Sequence, residues 1–134
     1  MASIYVARSV KLGKWASDVG LGKQVYKVGV TEADPKAAAA AGWAGENDWS
    51  IVKSEAVEGL AEDEAIDRLA GKERMINPKL YPKLKGARGV FRLNPIKVEN
   101  HILVARALAG DSDLKALKLK PADFAAYLIS NAKR

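Results

Sequence analysis

The chain has no cysteine and a single histidine, His101. The first absence excludes disulfides, thiolate nucleophiles and cysteine-ligated zinc, and it fits a reducing cytoplasm. The second argues against a histidine-rich metal centre or a Ser-His-Asp triad. Long apolar runs are missing too. The opening stretch through Trp15 is broken by charge, and the alanine run at 37–41 ends at Gly42, so neither a secretory signal nor a membrane span is expected. Gly20-Leu21-Gly22-Lys23 lacks the strand–loop–helix spacing of a phosphate loop. With no internal repeat and no linker-like stretch, one domain over residues 1–134 is expected.

The 134 residues, 49% hydrophobic and 28% charged, have the size and composition of a globular domain able to bury a core. The net charge of +6 is unevenly spread. Residues 1–30 carry five basic and one acidic side chains, residues 31–67 two basic and ten acidic, and residues 72–106 nine basic and two acidic. A positive excess of this kind favours polyanions, nucleic acid above all, although an ordinary solvated surface gives the same count.

Ser3-Ile4-Tyr5-Val6-Ala7-Arg8 and Gln24–Val30 read as two strands that pair antiparallel. Alternation puts Val25, Lys27 and Gly29 on one side of the second and Tyr26, Val28 and Val30 on the other. Residues 9–23, with three glycines, read as a loop. Asp34-Pro35 and Asn94-Pro95 each combine an N-cap acceptor with proline at the first helical position. They predict helices running to Gly42 or Gly45 and over 96–108, the latter with Val98, Ile102, Ala105 and Leu108 on one stripe. A third strand is predicted over 49–57 and a helix from Leu60 to about Met75, acidic in its first turn. A basic connection follows over 77–88, then a strand at 89–93. A short turn is predicted at 114–118, and a last amphipathic helix from Pro121. The expected fold is α/β, a small mostly antiparallel central sheet flanked by helices with an extra C-terminal helix.

Ile4-Tyr5-Val6, then Tyr26-Lys27-Val28-Gly29 with Thr31, then the helix start Asp34-Pro35, resembles the opening of the GIY-YIG nuclease superfamily, in particular its phage-encoded and meiosis-associated branch. Ala65-Ile66-Asp67-Arg68-Leu69 looks like the helix that carries the family's glutamate, and Arg88-Gly89-Val90-Phe91-Arg92-Leu93 like its later strand. The resemblance covers about residues 3–98 and leaves a helical extension over about 95–134. It implies Mg²⁺-assisted phosphodiester hydrolysis, in which a tyrosine handles the attacking water, an arginine stabilises phosphate charge and a carboxylate holds the metal. Carried over, it nominates Tyr5, Tyr26 and Asp67 as catalytic, with Glu64 as the alternative carboxylate and Asp67 as the Mg²⁺ ligand.

This chain departs from the pattern at several points. Ser3 replaces the usual glycine, the loop between the tyrosine motifs is long, and the expected arginine position reads Lys36 followed by alanines. Lysine is no equivalent for a bidentate arginine. The expectation is therefore a nucleic-acid-associated protein, with DNA as polymer and weak or no nuclease activity. Lys27, Lys36, Lys83, Lys85 and Arg88 would make its phosphate contacts. Tyr81 lies among the cations of 79–88, and Trp15, Trp43 and Trp49 are either base-stacking platforms or core. Two alternatives stay open: a non-catalytic protein-interaction or self-association domain, and an active Mg²⁺-dependent endonuclease. A membrane partner is not expected, and oligomeric state is left open.

Overall fold

The computed structural model describes residues 2–110 and 119–133. Five strands form one antiparallel sheet: β1 (Ala2–Arg8), β2 (Val25–Thr31), β3 (Ser50–Val57), β4 (Arg74–Met75) and β5 (Val90–Arg92), in the spatial order β3-β1-β2-β5-β4. Around it lie α1 (Val10–Asp18), α2 (Pro35–Ala41), α3 (Glu62–Ala70), α4 (Pro95–Leu108) and α5 (Pro121–Ala132). The α/β class, the antiparallel sheet and the extra C-terminal helix agree with the sequence reading. No helix among the described residues is long and apolar enough to cross a membrane. The turn predicted at 114–118 lies outside the described residues.

Strand alternation splits the core in two. Ile4, Val6, Tyr26, Val28 and Phe91 pack with Ile66 and Leu69 of α3 and with Phe124, Leu128 and Ile129 of α5. On the other face Ala7, Val25 and Val90 pack with Leu12 and Ala16 of α1, Ala39 of α2, Trp49 and Leu84. Each large side chain buried this way contributes about 1.5–3 kcal/mol before chain entropy is charged against it. In β3, Lys53 pairs with Val6 and Ile51 with Ala7, so Val52 is an extra, bulged residue.

Three segments differ from expectation. The stretch read as a loop contains α1. Ser9 caps it by accepting from the Leu12 N–H at 3.1 Å, and Leu12 and Ala16, one turn apart, bury its inner stripe. Gly13 lowers helix propensity, but it lets the helix approach closely: a Cβ there would stand 3.4 Å from the Lys23 carbonyl oxygen. The helix predicted to Met75 stops at Ala70, before Gly71, and Arg74–Met75 instead pairs with the open edge of β5. Finally, α4 uses only part of its predicted stripe. Val98 is buried and Ile102 half-buried, while Leu108 is 85% exposed.

Candidate functional site

Tyr5, Lys27 and Gly29 share one face of the sheet, because Tyr5 pairs with Gly29 and Ala7 with Lys27 across β1 and β2. The Tyr5 ring lies over Gly29, where a Cβ would stand 2.5 Å from Tyr5 Cζ and 2.8 Å from Glu62 Oε1. Trp43 stacks on Tyr5 with ring centroids 5.8 Å apart and planes 20° from parallel. Lys27 Nζ sits 5.3 Å from the Trp43 centroid and donates to the Val28 carbonyl at 2.9 Å. Beyond the end of β5 the edge of β2 is open, and Glu62, in the first turn of α3, closes it by accepting from the Val30 N–H at 3.1 Å. Gly89 completes the wall: its φ of +84° and a prospective Cβ 2.6 Å from the Val28 carbonyl oxygen exclude any side chain.

Burial sets the electrostatics of this cluster. Tyr5 is 3% and Lys27 5% exposed. Burial, helped by the nearby Glu62 carboxylate, raises the Tyr5 hydroxyl to about 12. Burial pulls Lys27 below its ordinary value, against an upward pull from Glu62. Such an amine is easier to deprotonate than a surface lysine, and the tyrosine is harder.

The nominated catalytic residues do not come together. Tyr26 is fully buried on the opposite face, stacked on Phe124 at 5.5 Å with its hydroxyl donating to Gln24 Oε1 at 2.8 Å. Tyr5 and Tyr26 therefore share no surface on which they could act together, because residues 26 and 27 point to opposite sides of one strand. Asp67 is ion-paired with Arg88, which also binds Asp63 at 2.9 Å. Glu64 pairs with Arg68 at 2.8 Å. Glu62 and Asp67 are five residues apart, about 140° round the helix axis, so the carboxylate beside Tyr5 is Glu62. The residues therefore do not fit the implied Mg²⁺ centre: Asp67 and Glu64 are held by arginines away from Tyr5, and Glu62 is a lone carboxylate already accepting from the backbone. No group of three or more His, Cys, Asp or Glu side chains suited to a metal ion occurs among the described residues.

Set against known proteins, the chain matches no family model, no curated protein and no solved structure.

The five expected phosphate contacts also separate. Lys27 is buried, Lys83 is ion-paired with Glu46, and Arg88 is ion-paired with Asp63 and Asp67. Lys36 and Lys85 are exposed with no carboxylate partner among the described residues. Further cations without such partners lie on or beside α1: Lys85 lines a groove beside Trp43, where Lys11 also stands with its charge acting on Asp48, and Arg8, Lys14 and Lys23 line the next. The Gly20–Lys23 turn then leads to Arg92 and Arg74 at the β4 edge. Sequence reasoning missed Glu62, because nothing local distinguishes it from Asp63 and Glu64. It also missed Arg74, which it placed in a helix. The face of Lys27 was readable from alternation alone.

Proposed function

We propose that this chain is a nucleic-acid-binding domain, with DNA the first polymer to test, and that it has weak or no endonuclease activity. The observation that carries this reading is the succession of cations without a carboxylate partner from Lys85 through Lys14 and Lys23 to Arg92 and Arg74. Phosphate backbones are bound by such cations, largely through release of counterions. The closed state of the Tyr5 cluster supports the lack of cleavage: a hydroxyl under Trp43 offers no room for a phosphodiester. The kinship with GIY-YIG nucleases and a cytoplasmic location belong to this proposal and rest on the motif order and the lack of cysteine.

One observation favours a second reading, a protein-interaction or self-association domain. Ile96, Val104 and Leu108 on α4 are 69%, 58% and 85% exposed. The deciding experiment mixes the protein with labelled single- and double-stranded DNA at rising salt, with Mg²⁺ or EDTA, and measures its mass in solution. Salt-sensitive binding without cleavage is the expected result. Mg²⁺-dependent cleavage would restore the third reading, an active endonuclease. No binding together with a mass above the monomer would replace the proposal with the second.

A further inference from the structure

Arg74 and Arg92 face each other directly across β4 and β5. Like charges at opposed positions of an antiparallel pair repel, and a strand edge that carries them needs an anion or a cost borne elsewhere. Neither guanidinium has an ion pair or hydrogen bond among the described residues. The acid lining the same cleft, Glu73, is already occupied: it accepts from the Tyr127 hydroxyl and pairs with Lys97 at 3.1 Å, with its side chain 5% exposed. The two guanidinium groups are thus a dication without a counter-charge.

Lys79 and the ion-paired Arg88 also line the cleft, and the rest of its wall is largely uncharged. Leu21, Ile76, Leu80 and Tyr81 supply apolar and aromatic lining over a volume of about 830 Å³, within the range that holds small organic ligands. Asn77 organises this side, its backbone carbonyl accepting from the Leu80 and Tyr81 N–H groups and its side chain from Lys79 N–H. Tyr81 is braced edge-on against Trp15 at 5.8 Å. Leu80 is 72% exposed, with no packing reason to be so. Forked cations beside an apolar and aromatic wall suit an unpaired nucleotide, whose base can leave the stack, better than a duplex, whose bases are covered.

We infer that this cleft takes a single-stranded segment of nucleic acid, its phosphates on Arg74 and Arg92 and a base against Tyr81 and Leu80. The inference rests on the nucleic-acid reading above and adds the strand state and the contact residues.

The test is fluorescence anisotropy of the full chain with a labelled oligothymidylate of about 12 nucleotides and with a duplex of equal length. Wild type should bind the single strand at least about tenfold more tightly. R74Q/R92Q should weaken that binding about tenfold or more and lower the slope of log K against log salt by about 1.4, the loss of two single-strand phosphate contacts. Tyr81→Leu should weaken it about fivefold with the slope unchanged, since stacking carries no counterion release. Lys53→Gln, on the α5 side, should change neither. Removing the opposed charges should leave the melting temperature of R74Q/R92Q at or above that of wild type. If the double variant fails to fold, Arg74→Gln alone, at an exposed position, should show about half the slope change. Wild type that binds while R74Q/R92Q keeps its affinity and slope would overturn the inference and leave the nucleic-acid reading intact. Equal affinity for duplex and single strand would overturn the strand preference. A wild type that binds neither polymer would overturn both.

Discussion

Gly29 and Lys27 show how a single strand position can be dictated by its neighbour across the ladder. Gly29 is needed because the Tyr5 ring and Glu62 Oε1 occupy the space a side chain would take. Gly29→Ala must push the ring off the sheet or the N-terminus of α3 outward. A loss of about 1–3 kcal/mol is expected in urea unfolding, the usual cost of overpacking. Lys27 is the opposite case, a residue kept at a cost to stability. Its ammonium is buried with one carbonyl, one indole face and the Glu62 charge for company, and burial outweighs them. Lys27→Met keeps the stem and removes the charge, and it should raise stability by about 1 kcal/mol at neutral pH. The pH dependence has a definite sign. A lysine depressed by folding releases its proton earlier in the folded than in the unfolded chain, so wild-type stability rises between the depressed value and the ordinary 10.5. Lys27→Met lacks that rise, and urea midpoints measured across pH 7–10 should converge from a gap in its favour. A variant less stable than wild type at neutral pH would mean that the ammonium is a net stabiliser.

At the scale of elements, α1 depends on a residue far away in sequence. The Asp48 carboxylate accepts from the Ser9 hydroxyl and from the Lys11 N–H at 3.0 Å, so it caps the helix from the segment before β3. Partial burial raises the Asp48 pKa, but these hydrogen bonds and the Lys11 charge outweigh it and hold the carboxyl below its ordinary value. That contribution to stability is complete above the ordinary aspartate pKa of 3.8 and fades as pH falls through the lower folded value. Asp48→Asn should cost about 1 kcal/mol at pH 7, in line with other cap losses, and the difference should shrink in acid. The same dependence explains why α1 was illegible in the sequence. Its capping acid is 37 residues from Lys11, and its own residues include a glycine. By contrast, α2 and α4 carry their caps locally in Asp34-Pro35 and Asn94-Pro95, and the side chains of Asp34 and Asn94 accept from the Lys36 and Ile96 N–H groups as the motif implies. The β1–β2 pair was legible for the same reason, since alternation is a local property. The boundary of α3 was not, because the pull on Arg74 and Met75 comes from the free edge of β5. The site divides along the same line. Which face Lys27 occupies follows from parity, whereas the choice of Glu62 over Asp67 beside Tyr5 depends on where α3 crosses the open end of β2.

For the molecule as a whole, the sheet separates two cores, and a buried tyrosine projects from each of its faces. Tyr5 on one face and Tyr26 on the other are both raised from 10.0 to about 12, chiefly by burial; Glu62 adds to the rise at Tyr5, and Arg8 opposes it at Tyr26. Tyr127 is raised further by burial and by its hydrogen bond to Glu73. A tyrosine raised by folding favours the folded state below the unfolded pKa, and this advantage is lost as pH climbs towards the folded value. Urea midpoints should therefore fall steadily between about pH 10 and pH 12, and the Lys27→Met background removes the opposing effect of the lysine. Tyr5→Phe and Tyr26→Phe keep their rings in place and remove the ionisable hydroxyl, so each should shift the alkaline fall to higher pH. The comparison between them tests whether the two cores are one cooperative unit. β1 and β2 contribute side chains to both faces, so neither core can open without breaking the ladder that supports the other. Both variants should then shift one common transition, seen alike by circular dichroism and by tryptophan fluorescence, since Trp15, Trp43 and Trp49 all lie on the α1 side. If Tyr5→Phe moved only the fluorescence transition, the layer beneath α1 would be opening on its own. Release of that layer would expose the Tyr5, Lys27 and Glu62 cluster that Trp43 now covers.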